Sequence, residues 1–183
     1  MRQLKHHEQK LLKKVNFKDW KSTNNVRDAA VMRKYFIQDD DDLEKYNRMC
    51  SRIAALANKL RDMPATDADR IKMTECLLDK LYDMGLVPQS KSLEECHKIP
   101  PTAFCRRRLA VMLVNLKFCQ FMKQAVETVE HGHIRIGPDV VTNPALHITR
   151  QQEDLIEWAE GSKIKAEVKR FNNQMDDFHL LGN

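Results

Sequence analysis

Leu4, Leu11, Leu12 and Val15 fall at i, i+7, i+8 and i+11, which is one apolar face of a short helix. Phe17 and Trp20 extend the apolar content beyond it, and Lys5, Lys10, Lys13 and Lys14 make the rest of its surface basic. Such a segment is too small for a core of its own. It has to dock, on the rest of the chain, on a protein partner or on RNA. Residues 22–42 read as irregular with a helical patch. A long helix follows, with Tyr46, Met49, Cys50, Ile53, Leu56, Ala57 and Leu60 at helical spacing, and it stops near Met63-Pro64. Thr66 or Asp67 can cap the next helix. Its apolar face is Ile71, Met73 or Thr74, Leu77, Leu78 and Leu81, and Gly85 suits its C-terminal stop. The two read as a helical hairpin. Residues 90–101, with Pro88 before them and Pro100 and Pro101 at their end, read as a connector.

The pattern then changes. Leu109, Met112, Leu113 and Leu116 form one i, i+3, i+4, i+7 stripe; Met122, Ala125, Val126 and Val129 form a second, closed by Gly132. His133-Ile134-Arg135-Ile136 alternates polar and apolar, as a half-buried strand does, and Gly137-Pro138-Asp139 is a turn. Val140-Val141 and then Leu146-His147-Ile148-Thr149 continue in strand-like fashion, and a helical patch spans residues 164–171. The expected class is α+β. A helical region precedes a small module of two helices packed on a short antiparallel sheet. The expected division is a basic arm (1–21), a helical region (22–103), the module (104–160) and a C-terminal helix and tail (161–183).

Charge sharpens this division. The 183 residues carry 31 Lys and Arg against 26 Asp and Glu, a net charge of only +5. Its distribution is uneven: +5 over residues 1–21, −1 over 22–103, +4 over 104–150 and −3 over 151–183. Two basic segments alternate with two that are not, a pattern compatible with a polyanion-facing surface or with ordinary solvated helix faces. Asp39, Asp40, Asp41 and Asp42 are expected to form a solvated helix N-terminus, where acids suit the helix dipole. The chain is 42% hydrophobic with 5 Gly and 6 Pro, so it is neither collagen-like nor low-complexity. No stretch approaches the roughly 20 apolar residues of a membrane span. The basic start lacks the apolar core of a secretory signal. Five irregularly spaced Cys fit a reducing compartment better than a disulfide framework.

Arg106-Arg107-Arg108 is the densest positive cluster. If these residues open a helix with Leu109 on the core face, 100° steps send Arg107 outward and place Arg106 and Arg108 on its flanks. Three guanidiniums so placed can meet several phosphates. His133 and Arg135 share the outward face of the first strand, so helix start and strand face are expected to make one basic groove. The expected RNA-binding set is Arg106, Arg107, Arg108, Lys123, Gln124, His133 and Arg135. Cys50, Cys76, Cys96, Cys105 and Cys119 contain no C-x₂-C pair, the histidines form no H-E-x-x-H, and neither a G-x-S-x-G nor a P-loop occurs. No catalytic residue, metal or cofactor is expected. Cys105, although beside three arginines, has a core-facing phase.

The stretch FCRRRLAVMLVNLKFCQFMKQAVETVE (104–130) running into HGHIRIGPDVVTNPALHITR (131–150) resembles the RNA-binding domain of small-subunit ribosomal protein four, the uS-four family. The shared pattern is a basic helix start, a second helix ending in a Gly-His-apolar turn, and a strand returning through a Pro-containing loop. By itself this names only RNA binding. The flanks KHHEQKLLKKVNFKDW (5–20), LLDKLYDMGLVP (77–88), TRQQEDLIEW (149–158) and the DDF at 176–178 resemble the branch of this family found in the U-three small nucleolar ribonucleoprotein. The resemblance implies a nucleolar, non-enzymatic role in early small-subunit assembly. Such proteins help join U-three small nucleolar RNA to precursor ribosomal RNA so that rRNA processing can proceed, together with M-phase phosphoprotein ten and other processome proteins. The acidic run at 39–42 departs from the more basic segment of that pattern. The alternatives are a ribosomal protein or a helical adaptor. An RNA-modifying enzyme carrying the module as an appendage would need a catalytic domain with a G-R-L-D motif, which is absent.

Overall fold

In a computed structural model of the protein, residues 2–15, 26–90 and 92–174 are described. Phe17, Trp20 and the DDF at 176–178 lie outside them. Helices α1 (His6–Lys14), α2 (Val26–Tyr35), α3 (Asp40–Asp62) and α4 (Ala68–Asp83) come first. Asp67 caps α4, its side chain accepting from the Asp69 N–H at 3.1 Å. Helix α3 ends before Pro64, whose ring bars the preceding residue from helical geometry. Leu43, Tyr46, Ala57 and Leu60 are the buried stripe of α3, and Leu78 and Leu81 that of α4. Leu56, Ile71 and Met73 are exposed, so Thr74 rather than Met73 lies on the inner side of α4. The expected connector is not featureless. Ser92 caps a short helix α5 (Leu93–His97) whose Cys96 is buried in the helical core.

Pro101 opens α6 (Pro101–Arg106), where its missing N–H costs nothing. The chain breaks at Arg107 and Arg108 before α7 (Leu109–Asn115), and α8 (Met122–Glu130) follows. Gly132 (φ +70°) takes the left-handed turn that lets α8 feed the sheet. Strands β1 (Ile134–Ile136), β2 (Asp139–Val141) and β3 (Ile156–Trp158) form one antiparallel sheet in the order β2-β1-β3, with short α9 (Arg150–Glu153) before β3 and α10 (Lys163–Phe171) after it. The third strand is therefore not Leu146 to Thr149. That segment is extended but pairs only once, His147 opposite Arg108, because it bridges the α6–α7 break instead of joining the sheet.

The fold is α+β with two apolar clusters. The first joins Leu43, Tyr46, Ala57, Leu78, Leu81, Phe104 and Cys105 across α3, α4 and α6. The second joins Leu109, Leu113, Val126, Val129, Ile134, Ile148 and Ile156 across α7, α8 and the sheet. The seam between them runs through residues 106–108. Among the described residues, no helix is long and apolar enough to cross a membrane.

Candidate nucleic-acid interface

The three arginines separate at this seam. Arg108 is the N-cap of α7, in extended geometry (φ −68°, ψ 143°), so the 100° helical step does not carry from it to its neighbours. It is only 3% exposed. Its Nη1 donates to Asp42 Oδ2 at 2.9 Å and to the Tyr46 hydroxyl at 3.0 Å. Arg107 is half-buried; its Nε donates to the Ile148 carbonyl at 2.9 Å and its Nη1 to Glu153 Oε2 at 2.9 Å. Arg106 alone is exposed. The expected outward fan of three guanidiniums is thus corrected. Arg108 joins the module to α3 and Arg107 binds within the module, because at a break between short helices the buried backbone and carboxylates compete for every cation.

Asp42 is correspondingly not a merely solvated helix-start acid. Burial by itself would raise its pKa. The hydrogen bonds and charges of Arg108 and Lys45 outweigh that and hold the carboxyl below the ordinary value. Further links cross the seam. His147 Nε2 donates to the Met84 carbonyl at 3.0 Å, and burial pushes this imidazole's pKa down. The Phe104 ring, stacked on Tyr46 within the first cluster, meets the His147 ring at 6.0 Å. Arg150 donates to the carbonyls of Tyr82 (2.8 Å) and Val87 (3.1 Å), and its guanidinium lies 4.2 Å from the centre of the Tyr82 ring. None of Asp42, His147 and Arg150 belongs to the sequence-derived set. Only a match of partners far apart in the chain identifies them, and spacing carries no such signal.

The strand register is as the alternation predicts. Ile134 is fully buried, and Arg135 lies on the other face. Arg135 sits opposite Glu157 of β3 and pairs with it at 2.6 Å and with Glu160 at 3.2 Å. The guanidinium in turn holds the Glu157 carboxyl below its ordinary range. His133 Nδ1 is 3.1 Å from Ser162 Oγ, the hydroxyl that caps α10. The expected single groove of arginine cluster and strand face does not form, since Arg107, Arg108 and Arg135 are paired with carboxylates and His133 lies against Ser162, leaving Arg106 as the exposed member of the cluster.

What the module leaves open is the approach to α8. Lys117 (φ +63°), Phe121, Lys123 and Gln124 are exposed there, Phe121 by 69%. The first turn of α8 has no acidic residue and no side-chain cap, and cations and an aromatic ring lie beside it in the chain. That combination suits phosphate contact plus base stacking. Lys123 pairs with Glu127 at a long 3.8 Å. The Cys105 thiol is fully buried, and burial pushes its pKa up to about 11, opposite to an activated thiolate. Among the described residues, no three His, Cys, Asp or Glu side chains converge to hold a metal ion.

Two family models match the chain, overlapping at residues 107–117. The family described as "Ribosomal protein S4/S9 N-terminal domain" matches residues 3–117, and the "S4 domain" matches residues 107–154. The chain is similar to "U3 small nucleolar ribonucleoprotein protein IMP3" of Saccharomyces cerevisiae, at 49% identity over 97% of this chain and 98% of that one. It is similar to the protein of the same name in Homo sapiens at 46% identity over 98% of both. It is also similar, at 26% identity over 79% of this chain and 81% of the other, to "Small ribosomal subunit protein uS4" of Nanoarchaeum equitans.

Proposed function

The chain belongs to the IMP3 family of uS4-like proteins, and on that premise we propose that it is a non-enzymatic, RNA-binding component of a U3 small nucleolar ribonucleoprotein, acting in ribosome biogenesis in the nucleolus. The observation that carries this is the 46–49% identity spanning 97–98% of the chain, arm and helical region included, and not the module alone. The finer reading is that the protein holds U-three small nucleolar RNA against precursor ribosomal RNA within the small-subunit processome, with M-phase phosphoprotein ten among its protein partners. The exposed entrance to α8 supports it, with Lys117, Phe121, Lys123 and Gln124 as RNA contacts and Arg106 as a further exposed cation. Arg108 serves by fixing the module on the helical region, Arg107 by bracing the module's own Ile148 and Glu153, and Arg135 and His133 by shaping the sheet and its junction with α10.

The test is annealing. The full chain, mixed with the 5′ region of U-three small nucleolar RNA and its complementary precursor fragment, should accelerate duplex formation, and a Lys117→Ala/Lys123→Ala/Gln124→Ala protein should do so far more slowly while keeping its melting temperature. A wild-type protein that binds neither RNA overturns the reading.

A further inference from the structure

Two adjoining clefts, of about 470 and about 100 Å³, run along α2 where it meets the start of α3, and both are lined by Met32 and Asp40. Together they form one groove, with an apolar floor of Ala29, Met32, Phe36 and Ile37 and an acidic rim of Asp28, Asp40, Asp41 and Glu44. We propose that this groove seats an amphipathic helix of another protein, one that carries Lys and Arg beside its apolar face. The inference goes beyond the RNA-binding reading and concerns a face whose sign repels phosphate.

Backbone comes first. Helix α2 closes with the Ile37 N–H donating to the Met32 carbonyl at 3.0 Å, which leaves Phe36 as the residue in the left-handed turn, at φ +49°. Helix α4 closes in the same way, from the Leu86 N–H to the Leu81 carbonyl at 3.0 Å, and there the turn residue is Gly85. Gly or Asn adopts that conformation at little cost, and a bulky aromatic residue does not. Burial does not compensate either. Val31, Met32, Tyr35 and Ile37 pack on the helical core, whereas Phe36 stands 39% exposed at the groove. A ring so placed gains its apolar contacts when something enters the groove. Charge comes second. The rim sets four carboxylates against the one guanidinium of Arg33. Arg48 pairs with Glu44 at 2.7 Å, but no ion pair joins Asp28, Asp40 or Asp41 to a described residue. Asp42, next along the run, turns instead to Arg108 and Lys45. Helix starts favour acids by themselves. Here Asp28 lies in the first turn of α2, Asp40 and Asp41 lie in that of α3, and the fold gathers both starts around one groove. Such a rim attracts a cationic partner and excludes RNA, while the floor calls for apolar side chains at helical spacing. Met32, which lines both clefts, has an unbranched chain that adapts to an incoming side chain. The protein's own basic helix α1 is not seated there, since Leu11 and Leu12 of its apolar face are each 51% exposed, so the groove is open to another chain.

The test uses the full chain with isotope-labelled methionine methyl groups and two synthetic helices. Both have Leu at i, i+3, i+4 and i+7; one has Lys and the other Glu at the remaining positions. The Lys helix should shift the Met32 methyl resonance and leave that of Met73, exposed on α4, in place. The Glu helix and an oligouridylate should move neither. Asp28→Asn/Asp40→Asn/Asp41→Asn should weaken binding of the Lys helix several-fold and flatten its salt dependence. Phe36→Asn places a residue that tolerates the left-handed turn, so the fold is kept. It should weaken the Lys helix several-fold at unchanged salt dependence and bind oligouridylate as the wild type does. If Phe36→Asn binds the Lys helix like the wild type, or if Met73 moves as far as Met32, the attraction is diffuse and the inference falls, while the RNA-binding function stands on the oligouridylate result. If oligouridylate shifts Met32, the groove faces RNA and the inference falls. If removing residues 1–15 tightens binding of the Lys helix several-fold, the chain's own arm competes for the groove, and the inference of a foreign helix is overturned.

Discussion

Arg108 shows how far a residue's surroundings can redirect its chemistry. Its guanidinium is almost wholly withdrawn from water and survives there only because Asp42 and Tyr46 receive its protons. Removing one partner of such a pair strands the other, so Asp42→Ala should destabilise the protein by about 3–5 kcal/mol, read from the urea midpoint. Replacing both, as Asp42→Leu/Arg108→Met, should return most of that loss. The pair also predicts an acid limb. The folded state holds the Asp42 carboxyl below its ordinary value, so the stability it contributes is complete above the ordinary value, about 3.9, and is lost as pH falls through the lowered folded value. The stability gap between wild type and Asp42→Asn should therefore narrow below about pH 4. A gap unchanged down to pH 2 means the carboxylate does not stabilise the fold by its charge. Cysteine labelling gives an independent check at the same scale. Iodoacetamide at pH 8 should modify the exposed Cys76 and leave Cys105 intact until the protein is unfolded, as peptide mass spectrometry reads directly.

At the scale of elements, β1 separates packing from charge. Ile134 is the inward residue of the central strand, so Ile134→Asp should unfold the module, losing several kcal/mol from the lost apolar burial and the buried charge together. Arg135→Ala, one residue on, removes pairs between a partly buried guanidinium and two exposed carboxylates and should cost far less than Ile134→Asp in melting temperature. The opposite pair of results would place the strand one residue out of register. This register was readable because Ile134, Arg135 and Ile136 alternate under a single period of two. The stripes of α3, α4 and α8 were readable for the same reason, each being long enough for one helical period to repeat. The arginine cluster was not, because a helical step has no meaning across the break at Arg107 and Arg108, and nothing local marks that break. Strand β3 was missed because three residues are too few to show a period, whereas Leu146 to Thr149 alternates without joining the sheet. Extended connecting backbone and strand share that pattern. The α8 entrance was half legible: Lys123 and Gln124 were in the expected set, but Lys117 and Phe121 owe their exposure to the turn before α8, which only packing fixes.

For the molecule as a whole, the seam decides how the parts behave. Arg108, His147 and Arg150, with a bond from Gln38 to Glu130 at 2.8 Å, tie the module to the helical region through backbone carbonyls and buried partners. Links of that kind make the two clusters unfold together. Tryptophan fluorescence from Trp158 in the sheet and far-ultraviolet dichroism dominated by α3 and α4 should therefore give coincident urea transitions. Helix α1 lies outside this unit. Leu11 and Leu12 on its apolar face are each 51% exposed, and among the described residues its hydrogen bonds run only within residues 2–15. A helix of 9 residues has no stability of its own in water, so its apolar face is a surface awaiting a partner. Docking on the protein's own helical region would have buried Leu11 and Leu12, which they are not. We propose that the arm serves assembly; its four lysines suit a partner that is RNA or an acidic protein surface. Deleting residues 1–15 should leave the melting temperature where it is and sharply reduce recovery of the protein with U-three small nucleolar RNA from a nuclear extract. Leu11→Ser/Leu12→Ser should reproduce the loss without shortening the chain. A truncated protein that melts several degrees lower yet is recovered in full would make the arm a structural strap.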